Sequence, residues 1–352
     1  MSIHRIAAAD VLHALGGYDA IIDARSEAEY AQDRLPGAAN WPSLHDDERA
    51  RVGTHYRQVS PFEARKLGAA LVARNIAAHL EAHADQMPRG WKPLVYCWRG
   101  GQRSHALATV LAQIGYSVHV LDGGYKAFRK AMLVDLPAQA ARLSWRVLCG
   151  PTGSGKTRLL HALAQAGAQV LDLEGLAHHR ASVLGAIPGD AQPTQKHFDM
   201  LLWQALRQFD EGRPVFVEAE SKKVGNLALP EALVAAMRAA PCLRLELDLA
   251  QRVALLLQDY GYFTRDPAHF RERLDALQGL RGHATVARWK ELVDRGDFAD
   301  VVRELLEKHY DPGYARSTRR NFSQFATATE LRLHEGSQAE MQRVAAQLLR
   351  AN

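Results

Sequence analysis

Short apolar runs alternate along the chain with longer stretches in which apolar residues recur every three or four positions. The short runs, where turn residues bound them, predict buried strands; the longer period predicts helices. In the first part of the chain, Tyr18-Asp19-Ala20-Ile21-Ile22-Asp23, Pro93-Leu94-Val95-Tyr96 and Ser117-Val118-His119-Val120-Leu121 predict strands. Ala24-Arg25-Ser26-Glu27 opens a short helix, Leu35-Pro36-Gly37-Ala38-Ala39-Asn40 has loop chemistry, and residues 62–84 predict an alanine-rich helix. Ser60-Pro61 suits its start: serine caps free amides, and proline lacks the N–H that would be orphaned there. Ala106, Leu107, Val110, Leu111 and Ile114 predict another helix, capped by Ser104. Asp122-Gly123-Gly124 then turns the chain into Tyr125-Lys126-Ala127-Phe128-Arg129.

The pattern restarts at Trp145-Arg146-Val147-Leu148-Cys149, a strand followed by a helix through Ala166. Ala168-Gln169-Val170-Leu171-Asp172-Leu173-Glu174 and Pro214-Val215-Phe216-Val217-Glu218 predict strands with acids at their ends, and Leu243-Arg244-Leu245-Glu246-Leu247 a last strand completing the sheet. Residues 248–310 read as mostly helical, and an amphipathic helix over residues 338–349 closes the chain. Strands alternating with helices predict parallel sheets with helices on both faces. Two such α/β domains are expected, over residues 1–137 and 138–352, with a seam at Leu136-Pro137-Ala138-Gln139-Ala140-Ala141.

Composition narrows the setting. Of 352 residues, 47% are hydrophobic and 24% charged, an ordinary globular balance with no 18-residue apolar run and no signal-peptide stretch after Met1-Ser2-Ile3-His4-Arg5. Three cysteines, odd in number and without metal-ligand spacing, suit a reducing cytoplasm and exclude a disulfide scaffold. Cys149 and Cys242, on apolar strands, read as core. The net charge of +5 suits a polyanionic partner. A monomer is favoured, and no membrane association is expected.

Two stretches carry the chemistry. In Cys97-Trp98-Arg99-Gly100-Gly101-Gln102-Arg103-Ser104 a buried strand ends on a cysteine. Two glycines can take backbone angles closed to other residues, turning amides inward at a helix start. With Arg99 and Arg103 this makes an anion cradle, and the same field stabilises a thiolate at Cys97. Gly150-Pro151-Thr152-Gly153-Ser154-Gly155-Lys156-Thr157 is a complete Walker A pattern between a strand and a helix. Amides of Gly150, Thr152, Gly153, Ser154 and Gly155 wrap phosphate oxygens, Lys156 neutralises them, and Thr157 is placed to hold Mg²⁺. Asp172 or Glu218 is the candidate acid, acting through metal-bound water.

Three further stretches have two readings each. His178-His179-Arg180 suits part of a site or a solvated helix face. Asp259-Tyr260-Gly261-Tyr262-Phe263-Thr264-Arg265 suits a stacking or prenyl-lining wall, or helix-pair packing. Pro312-Gly313-Tyr314-Ala315-Arg316-Ser317-Thr318-Arg319-Arg320-Asn321-Phe322 suits an RNA-contact strip, with Tyr314 stacking bases and Arg316, Arg319 and Arg320 holding phosphates, or a solvated loop.

Asp23-Ala24-Arg25, the Leu35–Asn40 turn, the cysteine loop and Asp122-Gly123-Gly124 resemble the rhodanese module, which carries sulfur or selenium on its loop cysteine. The five residues between Cys97 and Arg103 exceed the usual rhodanese loop and resemble the dual-specificity phosphatases. A rhodanese-like domain joined to a P-loop NTPase-like α/β domain with a helical C-terminal region resembles the bacterial tRNA 2-selenouridine synthases along nearly the whole chain. That resemblance implies a tRNA substrate carrying wobble 2-thiouridine. It also implies geranylation of that sulfur by geranyl diphosphate, then replacement of thiogeraniol by selenium from selenophosphate through a perselenide on Cys97. Trp98, Arg99, Gly100, Gly101, Gln102 and Arg103 would hold selenophosphate, and an enzyme supplying selenophosphate would be a partner. No tightly bound cofactor is expected, with Mg²⁺ an ion of the P-loop. A sulfurtransferase with an ATP-binding P-loop and a cysteine-dependent phosphatase remain alternatives.

Overall fold

In the computed structural model, which describes residues 3–351, the chain forms two compact units. Residues 1 and 2, which open the segment read above for a leader, lie outside the described part. One unit comprises Met1–Leu136 with Asp199–Gln204; the other comprises Pro137–Phe198 with Ala205–Asn352. The change of unit at Leu136 falls inside a helix, Gly124–Arg142, with Pro137 in its interior.

The first unit is built on a parallel sheet of β1 (His4–Ile6), β2 (Ala20–Asp23), β3 (Ala38–Asn40), β4 (Pro93–Tyr96) and β5 (His119–Leu121), in the order β1-β5-β4-β2-β3. Every residue of β4 is buried, as expected of a central strand covered on both faces. The predicted alanine-rich helix forms over Pro61–His83, with the Glu63 amide donating to Ser60 Oγ at 3.1 Å. Leu35–Asn40 is only half a loop. After Gly37, in the left-handed region at φ +69°, the chain enters β3. The edge strand β1 is polar and largely exposed, so its pattern gives no strand signal.

The second unit has five parallel strands, β6 (Trp145–Cys149), β7 (Gln169–Leu171), β8 (Val215–Glu218), β11 (Cys242–Glu246) and β12 (Thr329–Arg332). The order is β12-β11-β6-β8-β7. A two-residue pair, β9 (Lys223–Val224) with β10 (Leu227–Ala228), forms an antiparallel ribbon beside them. β11 therefore does not complete the sheet, as the sequence suggested: β12 does, and its mostly exposed Thr-Glu-Leu-Arg has no apolar alternation. The C-terminal helix Gln338–Ala351 buries Met341, Ala345 and Leu348 with Leu159, Leu160 and Leu163 of the helix after the Walker loop. Phe263, Phe270, Leu274, Leu277, Val286 and Trp289 form a separate helical core. Among the described residues no helix is long and apolar enough to cross a membrane.

One packing detail positions the cysteine loop. The amides of Tyr125 and Lys126 donate to the carbonyls of Cys97 and Trp98 at 2.8 and 3.1 Å, so the loop leans on the start of the helix Gly124–Arg142. Gly124 has φ +58°, and a Cβ there would lie 2.3 Å from the Cys97 carbonyl and 2.5 Å from the Gly100 amide. Gly101, at φ −97°, has nothing within 4 Å of an added Cβ. Gly124→Ala should therefore destabilise the first unit by about 2–4 kcal/mol in urea unfolding, through the left-handed strain and the backbone clash. Gly101→Ala should change stability by less than about 1 kcal/mol. Equal effects of the two substitutions would contradict this packing.

Candidate functional site

The cysteine loop leaves β4 at Tyr96 and enters the helix Gln102–Ile114. Beneath it lies a buried polar frame. Arg25 donates to both oxygens of Asp23 at 2.6 to 3.1 Å and to the Asp33 carbonyl at 2.6 Å, and lies over the rings of Tyr96 and Tyr125. Tyr96 donates to Asp23 at 2.7 Å and Tyr125 to Asp33 at 2.6 Å. Burial opposes the charge on Arg25, yet the Asp23 carboxylate outweighs it and raises the guanidinium above its usual range. Such a frame holds the strand ends rigid, because breaking one partner strands a buried charge.

Cys97 is 3% exposed. Its sulfur accepts from the Gly101 amide at 3.3 Å and from Ser104 Oγ at 3.2 Å. Ser104 is thus not the cap the sequence suggested: Gly101 occupies that position, and the buried serine one turn in faces the sulfur. Only Gly100, at φ +65° and tight against Leu121 and Gly123, requires a glycine. The two arginines differ from a simple cradle. Arg99 and Gln102 are exposed, whereas Arg103 is held by Glu29 at 2.7 Å. Burial works against the Glu29 carboxylate, but Arg103 and Arg49 together keep it below its ordinary range. Trp98, stacked on Tyr125, joins Ala28, Glu29, Gln32, Arg49 and Arg103 around a hollow of about 280 Å³.

In the second unit the Walker loop follows β6 and ends in the helix Lys156–Gln165, with Gly153 and Gly155 left-handed at φ +79° and +85°. Its outward carbonyl is pinned. Arg252, itself paired to Asp311 at 2.6 Å, donates twice to the Thr152 carbonyl at 2.7 and 2.9 Å. Lys156 Nζ donates to the Gly150 carbonyl at 2.9 Å, and Ser154 Oγ is buried with no partner. The cavity above the loop measures about 430 Å³ and is lined by Thr152, Gly153, Gly155, Lys156 and Thr157 together with Glu174, Glu218, Glu220 and Tyr314.

The two candidate acids separate. Asp172 is occupied elsewhere, pairing with His161 at 2.9 Å and capping Gly175 at 2.8 Å. Glu218, at the end of the strand beside β6, is buried and hydrogen-bonded to Thr157. Glu174 and Glu220 join it, with ligand oxygens of all three within 4.8 Å of one another. Sequence reasoning passed over these two because neither sits in a recognisable motif. The clue was their closeness to strand ends already carrying acids. Burial, reinforced by the neighbouring carboxylates, pushes Glu174 up to about 9 and Glu220 up to about 8.

The remaining stretches resolve differently. The basic strip is a helix, Asp311–Asn321, and not a loop. Arg316, Arg319 and Arg320 are exposed on it, whereas Tyr314 turns inward, accepting from the Gly150 amide with its ring 6.0 Å from Lys156 Nζ. It is therefore not a free base platform. Arg180 lines the Walker cavity over the Tyr260 ring, while His178 pairs with Asp190. Phe263 packs in the helical core and also lines a small apolar pocket with Leu184, Leu256, Phe270, Leu305 and Leu306. That pocket shares Thr152, Ser182, Leu256, Tyr260 and Tyr310 with the Walker cavity. Cys149 and Cys242 are buried core thiols.

The raised carboxylates give a pH prediction. With folded values of about 9 and 8 against an ordinary 4.5, Glu174 and Glu220 bind protons more tightly folded than unfolded. Their stabilising share is complete below the unfolded value and is lost as pH rises towards the folded values. The thermal midpoint of the metal-free protein should therefore fall between about pH 5 and pH 9. Glu220→Gln should flatten that fall, and parallel profiles for the two proteins would contradict the assignment.

Known proteins place these geometries in one family. A profile described as the tRNA 2-selenouridine synthase AAA domain matches residues 143–292, and the rhodanese-like domain matches residues 7–131. The chain is 37% identical over 326 residues to the tRNA 2-selenouridine synthase of Marinobacter nauticus, covering 84% of this chain and 87% of that one. It is 35% identical over 343 residues to the enzyme of that name from Shewanella halifaxensis, covering 89% and 93%. With the rhodanese-type cysteine loop and the P-loop carried on successive parallel sheets, the chain belongs to the tRNA 2-selenouridine synthases.

Proposed function

We propose that this protein converts wobble 2-thiouridine in tRNA to 2-selenouridine in two steps, geranylation by geranyl diphosphate and then exchange of thiogeraniol for selenium. The observation that carries the first step is the apolar pocket beside the Walker cavity. A substrate with a diphosphate at one end and a hydrocarbon at the other suits a polar cradle whose wall continues into Leu256, Phe263, Phe270 and Leu305. In this reading the amides of Thr152, Gly153 and Gly155, with Lys156, hold the diphosphate, while the Gly150 and Ser154 amides are taken by Tyr314 and the Pro151 carbonyl. The thiocarbonyl sulfur attacks the allylic carbon, the C–O bond breaks, and the electron pair leaves on diphosphate. Charge offset by Lys156 stabilises that leaving group. Thr157 and Glu218 would hold Mg²⁺, which supplies further charge neutralisation when bound. Arg316, Arg319 and Arg320 contact tRNA phosphates.

Alkylation turns a poor leaving group into a thiolate one, opening carbon 2 to selenium. Electron counting constrains the delivery. Selenophosphate carries selenide, so joining its selenium to the Cys97 thiolate and releasing phosphate removes two electrons from the S–Se pair. Loading Cys97 as a perselenide therefore needs an acceptor of the thiol–disulfide class. Direct attack of selenophosphate on carbon 2, followed by Se–P hydrolysis, needs none. Two hydrogen bonds converge on the Cys97 sulfur, with Arg99, Gln102 and the loop amides at Trp98 and Gly100 orienting the donor and Arg103 beside them on Glu29.

Nucleoside mass analysis after incubation with thiolated tRNA, geranyl diphosphate and selenophosphate tests the scheme. Lys156→Ala should lower geranyl transfer at least 100-fold, and undiminished transfer would contradict the diphosphate site. Cys97→Ala should accumulate geranylated tRNA and form no selenouridine. Normal selenouridine from that variant would remove the carrier and leave the direct route.

A further inference from the structure

The carboxylates above the Walker loop are more numerous than a P-loop needs. One acid beside the loop's threonine suffices to orient a magnesium ion, and Glu218 with Thr157 meets that need. Glu174, from the short helix Leu173–Ala177, and Glu220, just past β8, bring two more to the same point. Among the described residues this is the cluster whose acidic and thiol ligands converge closely enough to hold a metal. Three carboxyl groups brought to one point carry six oxygens, more than the donors around them can satisfy. Glu218 is 97% removed from solvent, and its Oε1 has no hydrogen-bond partner. The positive charge acting on all three is Lys156, whose ammonium is engaged by the Gly150 carbonyl at 2.9 Å. A buried carboxyl oxygen without a partner, with two further carboxyl groups converging on it, points to a missing cation.

We infer that Glu174, Glu218 and Glu220 form a site for one divalent cation of the hard, oxygen-binding class, such as magnesium or manganese. Ligand oxygens on opposite sides of such an ion stand about 4.2 Å apart, twice a bond of about 2.1 Å. Separations within 4.8 Å require only small side-chain adjustments to reach that arrangement. Such a site takes its ligands from three positions of the chain, whereas an ordinary P-loop ion depends mainly on substrate phosphates and the loop threonine. The cation therefore binds before the diphosphate and adds a second positive charge to that of Lys156. This inference rests on the carboxylates and not on the identity of the diphosphate, so it stands or falls separately from geranyl transfer.

Manganese is the probe, followed by loss of the free-ion electron paramagnetic resonance signal on titration into the full-length protein without tRNA or diphosphate. The wild type should take up one Mn²⁺ per chain. The double variant Glu174→Gln, Glu220→Gln should bind at least 20-fold more weakly, and Glu220→Gln alone at least fivefold. Because glutamine keeps the volume and removes repulsion, thermal midpoints of the metal-free variants should not fall below that of the wild type. Thr157→Ala should weaken uptake less than fivefold. Absence of uptake by the wild type would overturn the inference. So would undiminished uptake by the double variant, or a site lost in Thr157→Ala and kept in the glutamine variants.

Discussion

An anion-holding loop works only if its carbonyls are turned away from the ligand, and both loops of this protein meet that demand by the same device. In the first unit the carbonyls of Cys97 and Trp98 are taken by the amides of Tyr125 and Lys126. In the second, the Thr152 carbonyl is taken twice by Arg252, which Asp311 fixes in turn. Each loop is then locked from behind by a close approach that only glycine permits, Gly124 against the cysteine loop and Gly153 against Leu256. The direction of these carbonyls is therefore set before any ligand arrives, which lowers the reorganisation that binding requires.

The two loops nevertheless present different fields. At Cys97 the donors are short-range, one amide and one hydroxyl, and the nearby Arg103 is committed to Glu29. The loop arginine thus meets an incoming anion with a carboxylate already beside it. Over the Walker loop the field is divided between Lys156 and three carboxylates, an arrangement that rewards a ligand bringing both phosphate and metal. The apolar pocket adjoining it adds a third kind of surface.

Much of this was legible in the sequence. The parallel α/β order, the cysteine at the end of β4, the Walker loop after β6 and the helix closing the chain all follow from local pattern, and each is found. What escaped was non-local or polar. β1 and β12 are edge strands with exposed polar residues, so no hydrophobic alternation marks them. Arg252 and Asp311 meet 59 positions apart and look like ordinary charges until the fold brings them under the loop. Tyr314 reads as a surface aromatic in an arginine-rich strip, yet helical geometry turns it and Thr318 inward while Arg316, Arg319 and Arg320 face out. Ser104 could be assigned to the first turn of a helix but not to the sulfur it faces, because three residues of register decide between capping the helix and bonding Cys97.

The central claim is that the Walker cavity is built for a diphosphate with a hydrocarbon tail. The most direct measurement is a calorimetric comparison of geranyl diphosphate, inorganic diphosphate and ATP, each with Mg²⁺, on the intact protein. Burying about two methylene groups of the tail, at about 0.8 kcal/mol each, corresponds to a factor of about ten in affinity. Geranyl diphosphate should therefore bind at least tenfold more tightly than either competitor. ATP binding more tightly than geranyl diphosphate, or a tail that adds nothing to inorganic diphosphate, would contradict the account.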